Sequence, residues 1–351
     1  MSSQAVALIA LLASSQGVFT TVADRASSRE AEGGEMAIDL FGNVSVTDGE
    51  VTVTSDSGTV WQGSGNACFY GDVTVTADTL TGTSRYLEYV RAAGMVTMIG
   101  DVELTDGETV LNAGEVVYFR ESGKATARED VELTGPGIGF VRGQYALYDR
   151  ERGSLFITVE PLLIRVVDGD SLTVTADRLE FFPEDNSAEA QGDARVSMPA
   201  REFFSTSEYL RYFGDEDRFE FFGSPVLQSP EGELSGDWME ILLDPSGDPE
   251  EVKVEGDAEG HFTDDGVDPP AETWFSSESA YFAFSGGDPD SVHLSGAALL
   301  RMQSGGEAAE REEINTVRGN TLTISLSEGE VVEVTVSGSV TGTYSYLGGN
   351  P

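Results

Sequence analysis

The sequence predicts an all-β fold, a stack of β-repeats, on three observations. A short phrase of Gly, then Asp or another small polar residue, then two alternating apolar positions recurs along nearly the whole chain. A second phrase with period-two alternation sits between its copies, and no long amphipathic helical pattern interrupts them. Self-similarity at a regular step marks a repeat architecture, and alternation bounded by turn residues marks half-buried strands.

The first phrase opens at Gly42-Asn43-Val44-Ser45-Val46 and returns at Gly71-Asp72-Val73, Gly100-Asp101-Val102 and Glu129-Asp130-Val131, each 29 residues after the last. Degenerate copies follow at Glu160-Pro161-Leu162, Gly192-Asp193-Ala194, Gly223-Ser224-Pro225, Gly256-Asp257-Ala258, Gly296-Ala297-Ala298 and Gly338-Ser339-Val340, with steps that lengthen toward the carboxyl end. Like charges facing each other destabilise a sheet. The recurring acids Asp72, Asp101, Asp130, Asp193 and Asp257 therefore belong at bends, beside glycines that tolerate unusual backbone angles.

The second phrase runs from a small or polar residue to an apolar one two further on, and commonly to an aromatic two beyond that. Copies are Arg85, Leu87, Tyr89; Glu115, Val117, Phe119; Gln144, Ala146, Tyr148; Asp177, Leu179, Phe181; and Glu208, Leu210, Tyr212. Later ones begin at Asp237, Glu278 and Asn320. Each period therefore holds two extended segments. Side chains alternate across a strand, so Leu179 and Phe181 point one way and Glu180 the other. Strands spaced about 4.8 Å apart align the apolar positions into long columns.

Composition excludes several functions. Of 351 residues, 62 are Asp or Glu and 20 are Lys or Arg, a formal charge of −42 that repels nucleic acid. Lysine occurs only at Lys124 and Lys253. A single cysteine, Cys68, removes intramolecular disulfides and cysteine-based zinc clusters, and the two histidines, His261 and His293, sit in no metal-binding spacing. There is no Gly-x-Ser-x-Gly elbow, P-loop or dinucleotide fingerprint. Acidic clusters at Asp215-Glu216-Asp217, Asp264-Asp265 and Asp288 to Asp290 match no EF-hand loop and read as solvated turns. No enzyme activity, metal or cofactor is expected.

Residues 1–35 read as a signal-like or anchor segment and a linker. The apolar run AVALIALLA at 5–13, followed by small residues, has the look of a secretory signal although no basic residue precedes it, and 23–34 is rich in linker-type residues. Residues 36–300 form the repeat array, with length enough for two fused units. Residues 301–351 combine a charged loop around GGEAAEREE with a terminal β-unit, whose segment 330–346 is a poorly guarded sheet edge suited to pairing with another chain.

The stretches GDVELTDGETVLNAGEVVYFRESGKATAREDV at 100–131 and LTVTADRLEFFPEDNSAEAQGDARV at 172–196 resemble the OstA-like family of lipopolysaccharide-transport proteins, and weaker copies extend from about 42 to about 342. The resemblance implies an elongated, bent β-jellyroll in the periplasm, an open two-sheet β-repeat stack with lipid acyl chains held between its two sheets. The partners it implies are lipopolysaccharide or a related lipid and other export-bridge proteins joined by edge-strand pairing. The lining it implies is Val102, Leu104, Val117, Phe119, Val131, Leu133, Leu179, Phe181, Leu210 and Tyr212. The rival reading is a structural or surface β-repeat protein with a closed core, assembling through its end strands; alternation alone does not separate a groove from a packed interior.

Overall fold

A computed structural model describes residues 20–346 apart from 32, 48, 137–138, 168–169, 231, 265–269, 287, 306–312 and 328–329. The signal-like run at 5–13 and most of the GGEAAEREE segment lie outside the described residues. Within them the chain is β throughout, and the helical elements are two single 3-10 turns, Arg91–Ala93 and Pro199–Arg201.

The chain divides into two compact units, one of residues 1–165 with 177–186 and one of 166–176 with 187–351. Its strands, in order, are β1 (Thr20–Val22), β2 (Arg25–Glu30), β3 (Met36–Thr47), β4 (Val51–Trp61), β5 (Ala67–Ala77), β6 (Leu80–Val90), β7 (Met95–Thr105), β8 (Val110–Phe119), β9 (Lys124–Gly135), β10 (Gly139–Asp149) and β11 (Ser154–Thr158). They continue as β12 (Leu162–Val167), β13 (Asp170–Thr175), β14 (Arg178–Phe182), β15 (Ser187–Met198), β16 (Phe203–Phe213), β17 (Arg218–Phe222), β18 (Val226–Ser229), β19 (Gly232–Ser235), β20 (Trp238–Leu243) and β21 (Pro249–Asp264). The last are β22 (Ala271–Ser285), β23 (Asp288–Gln303), β24 (Glu313–Ser327), β25 (Glu330–Ser337) and β26 (Thr341–Tyr346).

In unit 1 the strands from β3 to β11 pair antiparallel with their sequence neighbours, and β14 follows β11. In unit 2 the ladder runs from β15 to β16, then through the shorter β17 to β20, then along the long strands β21, β22, β23 and β24. The linker expected at 23–34 is corrected: Arg25–Glu30 pairs with Met36–Phe41, and its alternating Ala26 and Ser28 extend the sheet edge.

Each long strand bends at its middle, and the first phrase is the bend. Two consecutive residues take left-handed φ at Gly42-Asn43, Gly71-Asp72, Gly100-Asp101, Glu129-Asp130, Val159-Glu160, Gly192-Asp193, Gly223-Ser224, Gly256-Asp257, Gly296-Ala297 and Gly338-Ser339. A Cβ in that region costs about 1–2 kcal/mol, least for Asn and Asp, which explains the recurring composition. The register shifts at the same places, for example between Tyr70 and Val73 and between Ile99 and Val102. A bulge leaves extra residues unpaired and turns the strand, so each strand contributes one half to either side.

The second phrase supplies the cap. Its leading polar residue lies over the bend glycine of the following strand: Arg85 over Gly100, Glu208 over Gly223, Asp237 over Gly256 and Asn320 over Gly338. The backbone N–H of Asp237 donates to the Gly256 carbonyl at 2.8 Å, and that of Asn320 to Gly338 at 2.8 Å. One copy is exchanged. Glu129 occupies the bend where glycine is usual, and Gly114 occupies the cap; a Cβ on Gly114 would lie 2.7 Å from the Glu129 Cβ. At this bend the glycine stands on the partner strand instead.

Candidate functional site

The candidate site is the interior of each unit, where apolar rows run across the strands. In unit 1 one row passes through Leu87, Met98, Val116, Ala127, Ala146, Ile157 and Leu179. Beyond the bends a second row passes through Val75, Gly82, Leu104, Leu111, Leu133 and Val141. The two halves meet across the interior, for a Cβ on Gly82 would stand 3.2 Å from the Met98 Cε. Burying each Leu, Val or Met contributes about 1.5–3 kcal/mol, which is what holds the bent strands together.

In unit 2 three aromatic rings meet across the interior. Phe262 and Phe275 belong to one half and Phe282 to the other, with ring centroids 6.2 Å apart for Phe262 and Phe282 and 5.8 Å for Phe275 and Phe282. Met239, Leu294, Leu300 and Leu322 are fully buried around them. At the bends the hydroxyls of Ser55, Ser84 and Ser277 donate to carbonyls two residues on, at 3.0, 3.0 and 2.8 Å.

Most of the residues expected to line a trough are buried in these rows: Val102, Leu104, Val131, Leu133, Leu179 and Phe181 in unit 1 and Leu210 in unit 2. Tyr212 is half-buried at the rim beside Leu210, with its ring 4.6 Å from that of Phe219 and its hydroxyl donating to Asp217 at 3.1 Å. Val117 and Phe119 are corrected. They lie on the opposite face, Phe119 being 39% exposed, while Val116 and Tyr118 point inward at 3% and 2%. The reason is a one-residue slip: Glu115 looks like the polar head of the second phrase, but Gly114 holds that position, and a shift of one residue flips every side chain on a strand. Gly114 keeps the step of 29 from Arg85, and that step was the available signal.

The polar groups near the interior are paired or neutral. Burial pushes the phenols of Tyr118 and Tyr148 above their ordinary range. On the outer face the buried Asp149 carboxylate is 2.9 Å from Lys124, and that hydrogen bond, the largest influence on it, holds it below the usual aspartate range. Arg178, lying over the Phe156 ring at 4.5 Å, pairs with the buried Glu180. Cys68 is buried beside the Tyr86 hydroxyl at 3.3 Å, and burial raises its thiol, which makes it an inert packing group. Among the described residues no group of three or more His, Cys, Asp or Glu could hold a metal ion, and no helix is long and apolar enough to cross a membrane.

Fold and interior define a class, an antiparallel β-repeat whose strands are bent so that two halves enclose apolar rows. Residues 22–124 match the LptD_N family, described as LptA/(LptD N-terminal domain) LPS transport protein. The resemblance read in the sequence therefore holds over that segment, and it supports a role in lipopolysaccharide transport. No curated protein matches the chain. Among matching solved structures is LptH of Pseudomonas aeruginosa, the LptA homologous periplasmic component of the conserved lipopolysaccharide transport device, at 14% identity and a TM-score of 0.21, covering 41% of this chain and 82% of that one.

Proposed function

We propose that the protein is a non-enzymatic periplasmic component of lipopolysaccharide export that holds acyl chains between the two halves of its bent strands. The observation that carries this reading is the continuous row through Met98, Val116 and Ile157 facing the row through Gly82, Leu104 and Leu133, in a segment whose first part carries the transport-family match. Parting these apolar side chains away from the bends admits a fatty chain and leaves the backbone ladders intact. Alkyl chains gain about 0.8 kcal/mol per buried methylene, while the acidic outer face stays in water. Bridge partners would join by strand addition at β25 and β26, which pair with β24 on one side and carry exposed Val331, Val332 and Tyr344.

A photoreactive residue at Leu104 or Leu133, on the inner face, is expected to crosslink lipid in the native host, and one at Phe119, on the outer face, is not. Equal crosslinking at Leu104 and Phe119, or no lipid on the purified protein by mass spectrometry, rejects the carrier and leaves the closed-core structural protein. Deleting residues 330–351 should abolish end-to-end association in light scattering.

A further inference from the structure

We propose that the outer face of unit 2 carries a saccharide-binding groove formed by Phe204, Gln228, Glu233 and His261, and that its ligand is a sugar bearing a protonated amine. This does not rest on the acyl-chain reading, because the groove faces away from the interior.

The four residues stand in one cross-strand row: Phe204 pairs with Gln228, Gln228 with Glu233 and Glu233 with His261. They line a cavity of about 440 Å³ together with Glu202 and Thr263. Three strand spacings separate the two rings, about 14 Å, room for a disaccharide lying across the row. Phe204 is 47% exposed and forms one wall. His261 forms the other, and it is held in place: its ring stacks on Trp274 at 5.0 Å and an interplanar angle of 4°, with the Arg301 guanidinium 4.7 Å from the Trp274 centroid on the far side of the row. The floor is also set, since the Gln228 amide donates to Glu233 at 2.8 Å.

Aromatic walls receive the apolar C–H faces of a pyranose, and an amide beside a carboxylate accepts and donates to its hydroxyls; a concavity with a few converging polar groups is the usual form of a ligand site. Charge narrows the class. Glu202 and Glu233 line the groove and Glu272 lies 3.8 Å from the His261 Nε2, in a chain of net charge −42. Phosphate and carboxylate sugars are repelled and an ammonium is attracted.

The test follows the indole N–H signals of the three tryptophans by NMR, with the Trp274 signal assigned from Trp274→Phe, while the β-1,4-linked glucosamine disaccharide is titrated into the full chain. The Trp274 signal should move, cellobiose should bind more weakly, Glu233→Gln should weaken the glucosamine disaccharide about tenfold by loss of a charged hydrogen bond, and Phe204→Ala should abolish the response. Both substituted side chains are exposed, so an unchanged backbone spectrum confirms that each variant is folded. A second arm presents the same sugar as the head group of a diacyl lipid in neutral vesicles. A shift with the free disaccharide marks a soluble sugar as sufficient, and a response only on vesicles assigns the groove to a lipid head group; each supports the proposal. No response in either arm, equal affinity for cellobiose, or unaltered binding by Glu233→Gln overturns it.

Discussion

Across the interior of unit 1 a methionine reaches a glycine, Met98 to Gly82, while across that of unit 2 the rings of Phe262, Phe275 and Phe282 converge. Both units bend their strands with the same left-handed pairs, Gly100-Asp101 in one and Gly256-Asp257 in the other. The bend sets the backbone and leaves the filling free. Aliphatic side chains slide past one another and repack at small cost, whereas aromatic rings meet in preferred tilted geometries. The Met98–Gly82 contact is the more deformable of the two on this argument, and it lies in the segment with the transport-family match.

The largest expected effect sharpens that contrast. Phe275→Ala should cost about 3–5 kcal/mol and Met98→Ala about 2–5, with the phenylalanine loss the greater because the surrounding rings collapse less readily. Urea midpoints of the two variants test this, and a larger loss at Met98 would remove the distinction. Next comes the exchanged bend pair. Gly114→Ala should destabilise by about 1–3 kcal/mol through overpacking against Glu129, and Glu129→Gly should rescue it with a coupling of at least about 0.5 kcal/mol. Additive losses would separate the two residues. Glu129→Gly alone should stabilise by up to about 1 kcal/mol, since relief of the left-handed strain outweighs the added freedom of the unfolded chain; a lower thermal midpoint would refute it.

The two lysines give the smallest and most distinctive effect. In unit 1 the Asp149 carboxyl is held below its ordinary value by Lys124, so its contribution is complete above the unfolded aspartate range, about 3.9, and is lost as pH falls through the lower folded value. In unit 2 Lys253 is raised above its ordinary value, first by its hydrogen bond to Glu240, so its contribution is complete below about pH 10 and is lost as pH rises through the folded value. Lys124→Met should flatten the acid limb of the stability curve and Lys253→Met the alkaline limb. The reverse pattern would contradict the pairings.

Much of the architecture was legible because the bend makes a chemical demand. A left-handed pair selects Gly followed by Asp or Asn, so nine of the ten phrase copies fall on the bends, and the tenth is displaced by one residue to Val159-Glu160. The inward face was legible wherever the polar cap marked the strand, as at Gln144, Asp177 and Glu208. It failed at β8, where Gly114 carries the cap position without a polar side chain and Glu115 imitates it. Arg25–Glu30 was unreadable for another reason: its six residues are all exposed, and an edge strand with no buried face leaves no alternation.

The order of amino acids determined by itself the class of fold and the placing of the bends, because backbone sterics act locally. Tertiary structure alone decided that Met98 meets Gly82, that three phenylalanines meet inside unit 2, and that Phe204 and His261 stand in one row of the sheet. Those relations join residues whose separation is set by strand pairing, and pairing is a property of the assembled ladder rather than of any segment within it.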